Sequence, residues 1–166
     1  MTVDVTDSVV RIRRAFDAAF LRMCEAKNPE IAEDELSNLL SQIYRLRELV
    51  RKELGDTPFF AAMSVMPERQ AAGGAVWVRT FDTHDAVVVG KMGDIYTDYY
   101  TEMYGTLVWR PLRDLPEKSK THGHDDEYAT QLAGRPVLDT VRRAFDALAR
   151  WSKPCQAHNR AGRPPV

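Results

Sequence analysis

At 166 residues, the chain is long enough for one domain with a substantial core that needs neither a metal nor disulfides. Apolar residues make up 44% and charged residues 28%, as in ordinary soluble proteins, and the net charge of −1 excludes a molecule-wide surface for polyanions. No apolar run approaches the roughly 18 residues of a membrane span, and Met1–Asp7 has no signal-peptide core. For this reason we expect no membrane contact. Cys24 lies in a helical pattern and Cys155 in the tail, so we expect no disulfide and a cytoplasmic location.

The first third of the chain predicts two long amphipathic helices. Apolar residues recur at spacings of three and four from Val9 to Met23, and Asn28 can cap a second helix that has Pro29 in its first turn. The second helix ends before Gly55. Its predicted buried stripe consists of Leu36, Leu39, Leu40, Ile43, Leu46 and Val50. Because the connection is short, we expect an antiparallel pair that begins a helical bundle.

A short third element follows, from Thr57 to Met66, and Pro67 is expected to end it. Met63 and Met66 are spaced by three in a segment rich in phenylalanine, which favours core packing over metal ligation.

Residues 75–89 are compatible with two arrangements. Ala75–Phe81 and Ala86–Val89 are rich in β-branched and aromatic residues, so they can form a hairpin around 82–85. The alternative is one helix from about Gln70 through Val89, with Gly73 and Gly74 in its closely packed first part. The pattern leaves both arrangements open.

The remainder predicts irregular structure followed by a final helix. Thr106–Arg110 reads as extended, Leu112–Pro116 as a turn, and Glu117–Glu127 as a mobile polar loop. The final helix begins at Arg135-Pro136 and stops at Pro154. Its predicted buried residues are Val137, Val141, Phe145, Leu148 and Trp151. We therefore predict a mainly α fold, a helical bundle with a short extended insertion before the last helix, formed by residues 1–153, with a disordered tail over 154–166.

The candidate catalytic residues are Arg79 and His84, with Thr80 beside the arginine. An imidazole can exchange a proton near neutral pH, and a guanidinium can stabilise the charge that gathers on a phosphorus under attack. Chance alone supplies about one arginine–histidine pair with a gap of four to six residues in such a sequence, so the pair gains its meaning only from context.

That context is a resemblance to the HEPN superfamily (higher eukaryotes and prokaryotes nucleotide-binding domains), small all-α bundles marked by an arginine, a polar residue and, a few positions later, a histidine. Arg79, Thr80 and His84 match this mark. The chain is also similar to a group of uncharacterised actinobacterial proteins of this build. The shared segments are 75–80, 107–116 and 128–137.

The resemblance implies a metal-independent endoribonuclease without cofactor, often a toxin with an antitoxin partner, that acts as a homodimer with two facing motifs. In that interpretation Arg79 steadies the phosphate, His84 moves the proton and Thr80 places the arginine. The alternative is a catalytically inactive dimeric HEPN-like module for interaction or nucleotide binding. The chain departs from the pattern at Ala86, where many toxins carry a tyrosine that a partner modifies, and Asp82 and Asp85 add negative charge beside the site.

Three further features carry weaker signals. His122-Gly-His124-Asp125-Asp126-Glu127 contains side chains that can bind zinc or nickel, but its setting in a polar loop favours a solvated segment over a metal site. The tyrosines from Tyr96 to Tyr104 are interleaved with acids, which favours packing over base stacking. The candidate basic patch consists of Arg11, Arg13, Arg14, Arg45, Arg47 and Arg51, interleaved with acids.

Overall fold

The computed structural model describes residues 5–65, 67–80, 86–90, 106–115 and 124–161, and the fold of these residues is mainly helical. In chain order the elements are α1 (Val5–Cys24), α2 (Pro29–Leu54), α3 (Asp56–Met63), α4 (Pro67–Val78), β1 (Val87–Gly90), β2 (Thr106–Trp109), a 3₁₀ turn (Leu112–Asp114), α5 (Asp125–Gln131) and α6 (Val137–Ala161). The predicted fold class, a helical bundle with a short extended insertion before the last helix, is confirmed. In the described part of the chain, no helix is both long and apolar enough to cross a membrane.

Helices α1, α2 and α6 enclose the main core. The predicted stripe of α2 is buried throughout, and that of α1 is buried except for Phe20, which is half-buried. Phe16 of α1 stacks on Phe145 of α6, with ring centroids 3.9 Å apart. Outside the core, Arg22 makes a two-pronged ion pair with Glu35 at 2.6 and 2.9 Å. The α1–α2 pair therefore forms as predicted, because its apolar residues follow the helical period.

Capping residues set the ends of α2 where the sequence indicates them. The side chain of Asn28 accepts a hydrogen bond from the backbone N–H of Ile31 at 2.9 Å, which satisfies one of the free donors of the first turn. At the other end, Gly55 has a φ of 81°, a value that glycine adopts without strain. Because α3 starts at Asp56, the single residue Gly55 separates the two helices.

The short segment after α2 differs from its prediction at one point. We expected a single element up to Met66, ended by Pro67. Instead α3 ends at Met63, which is buried in the core as predicted, and Pro67 begins α4. Proline suits the first turn of a helix, where its missing N–H has no intrahelical acceptor, so Pro67 begins α4 instead of ending α3. Met66 lies outside the described residues.

The central segment follows neither of the two arrangements left open by its sequence. Its first half is helical up to Val78, whereas Val87–Gly90 is a strand. The strand pairs antiparallel with β2, with Val87 opposite Trp109 and Gly90 opposite Thr106, so the predicted hairpin between 75–81 and 86–89 is wrong. The continuous helix to Val89 is equally wrong. The partner strand comes from the segment predicted to be extended, and the pairing depends on a contact distant in sequence.

Backbone and side-chain hydrogen bonds attach β2 to the start of α6. Trp109 donates its backbone N–H to the carbonyl of Arg135 at 3.1 Å and accepts from Gly134 at 2.9 Å. Its indole Nε1 donates to Oγ1 of Thr140 at 2.6 Å, in a site where both side chains are buried. The same hydroxyl lies 2.8 Å from the carbonyl of Val137, to which it donates. The insertion is therefore part of the core.

The last part of the chain requires two corrections. The polar loop predicted for 117–127 ends earlier, because Asp125 begins α5 with three acids in its first turn, where the helix dipole favours negative charge. Helix α6 extends to Ala161, past the stop predicted at Pro154. A proline removes one helical hydrogen bond, which a long helix can lose without ending. The predicted disordered tail stays a prediction for 162–166, and these residues and 116–123 lie outside the described part.

We expect Thr140→Val to lower the free energy of unfolding by about 1–3 kcal/mol, because valine has nearly the same shape but leaves the buried N–H of Trp109 without an acceptor. Urea unfolding followed by circular dichroism measures this loss. Thr140→Ser is the matched control, since it keeps the hydroxyl and removes only a methyl group, at a cost of about 1 kcal/mol. A valine variant at least as stable as the serine variant would contradict the role of this hydrogen bond.

Burial raises the pKa of the Tyr128 phenol, whose O–H donates to the carbonyl of Arg110 at 2.6 Å. The unfolded chain releases this proton near the ordinary tyrosine pKa of 10.0 while the folded chain keeps it, so the contribution of Tyr128 to stability is complete below that pH and is lost as the pH rises above it. Tyr128→Phe should cost about 1 kcal/mol at pH 8. The wild-type advantage should shrink between about pH 10 and 11 in urea titrations. Parallel pH profiles of the two proteins would contradict the shift.

Candidate functional site

The candidate site begins where α4 ends. Val78 is the last residue of the helix, and the next two residues close it with a tight turn, because Arg79 donates its backbone N–H to Ala75 at 3.2 Å and Thr80 donates its own to Trp77 at 3.0 Å. Both Arg79 and Thr80 are exposed. A cation at this end of a helix is favoured by the helix dipole.

The guanidinium of Arg79 lies over the ring of Tyr44, with Cζ 4.3 Å from the ring centroid. Tyr44 belongs to α2 and is half-buried. None of the ion pairs in the described part of the chain involves Arg79. The contact is therefore a cation–π interaction between the end of α4 and the middle of α2.

Several other arginines are paired with carboxylates. Arg51 donates to both oxygens of Asp56, at 2.7 and 3.2 Å, and these hydrogen bonds hold the pKa of that carboxyl below its usual value. Arg142 pairs with Asp17 at 2.8 Å. These arginines connect one element with another and have their charge neutralised by a neighbour. Arg79 is exposed, and no carboxylate among the described residues forms an ion pair with it.

Thr80 does not contact Arg79 through its hydroxyl. The Oγ1 atom donates to the carbonyl of Trp77 at 2.7 Å, a bond that satisfies one of the last carbonyls of α4. The role that the resemblance implies for Thr80, to place the arginine, therefore lacks a direct contact here. Its hydroxyl closes the helix instead.

His84 lies outside the described residues, together with Asp82 and Asp85. Any contact between Arg79 and His84 therefore lies outside the described residues, and their pairing stays a prediction. Tyr44 is the residue that sequence reasoning missed. Its position on α2 gives no sign of the contact, because Arg79 is far away in sequence and only the packing of α4 against α2 joins them.

Residues 124–127, the described part of the segment predicted as a solvated loop with histidines and acids, pack against α4. Nδ1 of His124 lies 2.8 Å from Oε2 of Glu127, and that carboxylate rests on the backbone of Gly73. The loop interpretation is thus wrong for 124–127, because these residues cap and begin α5. His122 lies outside the described residues, and within them no group of three or more histidine, cysteine, aspartate or glutamate side chains is arranged to hold a metal.

The predicted basic patch does not form a continuous surface. Arg47 is buried, pairs with Glu48 at 2.7 Å and lies over the ring of Phe59. Arg13 lies 3.8 Å from Asp146. Arg45 remains exposed. The tyrosine cluster from Tyr96 to Tyr104 lies outside the described residues.

Two adjacent glycines determine how closely α4 approaches α5. A methyl group on Gly74 would lie 3.0 Å from Cδ1 of Leu132 and 3.2 Å from the backbone N and Cα of Tyr128. A methyl group on Gly73 would collide with the carboxylate of Glu127. Next to the glycines, the ring of Trp77 lies 5.2 Å from that of Tyr128. The position of the end of α4, and hence of Arg79, depends on this close contact.

Arg69, near the start of α4, also lies on an aromatic ring. Cζ of Arg69 is 4.2 Å from the ring centroid of Trp151 in α6, and Nη1 of Arg69 donates to the carbonyl of Ala62 at 3.0 Å. Trp151 in turn stacks on Phe59, with centroids 5.4 Å apart and an interplanar angle of 9°. The first turn of α4 is therefore fixed to α3 and α6.

Comparisons with models of protein families, with curated proteins and with solved structures found no match to this chain.

We expect Gly74→Ala to lower the free energy of unfolding by about 1 kcal/mol. The gain in helix propensity, up to about 1 kcal/mol, is outweighed by crowding against the backbone of Tyr128, which costs about 1–3 kcal/mol. Gly73→Ala is the matched comparison, since the atoms in its way are the end of the Glu127 side chain, which can rotate aside. We expect that variant to be at least as stable as wild type in urea unfolding. Equal stability of the two variants would contradict the close contact at Gly74.

Proposed function

We propose that the protein is a metal-independent endoribonuclease of the HEPN type, in which Arg79 binds the scissile phosphate and His84 moves the proton. The observation that supports this proposal is the exposed guanidinium of Arg79 at the end of α4, held by a ring and free of any described ion pair. The mainly helical fold and the Arg79-Thr80…His84 motif agree with it. Because an enzyme and an inactive relative would share the fold and the motif, a cleavage assay distinguishes them.

The reaction needs only groups that the chain carries. His84 removes the proton of a 2′-hydroxyl, and the freed oxygen attacks the adjacent phosphorus. Arg79 stabilises the negative charge on the phosphoryl oxygens as the bond to the 5′-oxygen breaks. The leaving 5′-oxygen takes up a proton from a second, protonated histidine that the other protomer of the proposed homodimer supplies. The products are a 2′,3′-cyclic phosphate and a 5′-hydroxyl, and no oxidant, metal or cofactor takes part.

A homodimer is part of the proposal, because a second histidine facing the first would supply the proton that the leaving oxygen needs. Such an enzyme would meet its RNA in the cytoplasm, and a protein antitoxin would protect the host by covering the guanidinium. The alternative, an inactive dimeric HEPN-like interaction or nucleotide-binding module, keeps the same surface without proton transfer.

The test is incubation of the purified protein with total RNA in the presence of a chelator. We expect His84→Ala to lower the cleavage rate by about 10²-fold or more and Arg79→Gln by a similar factor, the usual losses for a general base and for a group that stabilises an oxyanion. Arg45→Gln is the matched control, because it removes an exposed arginine that lies on α2, and it should cleave like wild type. New ends should carry a 5′-hydroxyl that polynucleotide kinase labels, and single-stranded DNA should stay intact because it lacks the 2′-hydroxyl.

Cleavage that is absent from wild type, or that is equal in wild type and His84→Ala, would remove the enzyme proposal. The inactive module would then be the better account of the Arg79 surface. Cleavage that the chelator abolishes would contradict the metal-independent mechanism.

A further inference from the structure

The ring of Tyr44 is well placed to fix a guanidinium. Tyr44 lies between Ile43 and Leu46, which are both fully buried, so the backbone that carries the ring is anchored in the core. The ring is half-buried and meets Cζ of Arg79 at 4.3 Å. A ring has fewer rotatable bonds than a long acidic side chain such as glutamate, so it holds a partner with little loss of side-chain entropy. The exposed arginine is thus given one favoured position.

An aromatic partner differs from a carboxylate in what it leaves free. A carboxylate accepts the N–H donors and cancels the positive charge, as Asp56 does for Arg51. The face of a ring attracts the cation but accepts none of its five in-plane donors in a conventional hydrogen bond. Arg79 therefore keeps the charge and the donor fork that bind a phosphate in a two-pronged manner.

From these contacts we infer that Tyr44 is the positioning residue for Arg79, and that it holds the guanidinium ready for a phosphodiester of RNA. The inference rests on the proposed function and assigns to a residue of α2 the task that the family resemblance gives to Thr80. The hydroxyl of Thr80 is already bonded to Trp77, whereas the ring of Tyr44 is in contact with the guanidinium itself. Tyr44 acts through Arg79 and does not touch the reacting atoms.

The test separates binding from cleavage by using a fluorescent 2′-O-methyl oligoribonucleotide, which has the phosphates but no free 2′-hydroxyl. Fluorescence anisotropy should show binding about tenfold or more weaker for Arg79→Gln. For Tyr44→Leu we expect binding about two- to fivefold weaker, the range expected for an exposed cation–π contact. Tyr44→Phe keeps the ring and should restore most of the affinity, and Arg45→Gln controls for a general loss of positive charge.

If the RNA is cleaved, the same variants give a second readout. Tyr44→Leu should lower kcat more than it raises KM, because a displaced guanidinium loses most of its effect in the transition state. Tyr44→Phe should recover kcat. Because a smaller folded fraction would also lower the apparent kcat at constant KM, kcat is referred to the folded fraction measured by circular dichroism. A purely structural role of Tyr44 would then leave kcat unchanged.

A third readout does not depend on any substitution of Tyr44. The side-chain Nε–H resonance of Arg79, assigned with Arg79→Gln, should lie upfield of that of Arg45, because it is close to the face of a ring. This measurement decides the contact even if Tyr44→Leu fails to fold. A resonance at the same position as that of Arg45 would overturn the inference.

The outcomes distinguish this inference from the proposed function. If His84→Ala cleaves like wild type but the binding series behaves as expected, the enzyme proposal fails and the positioning role stands for a binding site. If Tyr44→Leu binds like wild type while Arg79→Gln does not, the inference is overturned and the enzyme proposal survives. Equal loss in Tyr44→Leu and Tyr44→Phe, or no loss in Arg79→Gln, also overturns it.

Discussion

The close approach of α4 to α5 is the constraint on which the rest of the second half depends. Gly74 lies against the backbone of Tyr128, and a Cβ atom at this position would be only 3.2 Å from the backbone N and Cα of Tyr128. Tyr128 is in ring contact with both Trp77 and Trp109, and the indole of Trp109 donates to Thr140 of α6. A chain of buried aromatic groups thus connects α4, the two-stranded sheet and α6. The indole N–H of Trp109 donates to Thr140 and the hydroxyl of Tyr128 donates to the carbonyl of Arg110, and such satisfied buried donors stabilise the cluster.

This constraint also determines where the candidate site lies. The close contact with α5 fixes the position of α4 in the bundle. Because α4 ends at Val78, the exposed Arg79 then meets the ring of Tyr44 on α2. An ordinary solvated arginine would sample many rotamers. This one is given a partner that leaves its charge intact, which is the property that binding of a phosphate requires. The proposed chemistry therefore depends on packing at some distance from the reacting groups.

The parts of the fold that could be predicted are those in which local pattern and tertiary packing agree. The stripes of α1, α2 and α6 follow the helical period over many residues, and Asn28 and Gly55 mark ends by their own backbone chemistry. The split of 75–89 into helix and strand could not be predicted, because the partner of β1 is the distant β2 and no local pattern indicates it. For the same reason Arg79 could be selected from a motif, whereas its contact with Tyr44 could not.

The two arginines at the ends of α4, Arg69 within it and Arg79 just after it, have a consequence for the motion of that helix. Arg69 lies on Trp151 near its start, and Arg79 lies on Tyr44 just after its end. Rotation of α4 about its long axis is opposed first by its buried side chains Trp77 and Val78. Any such rotation would draw both guanidiniums off their rings at the same time. Axial rotation is thus opposed at both ends, and the orientation of the surface arginine is coupled to the packing of α6.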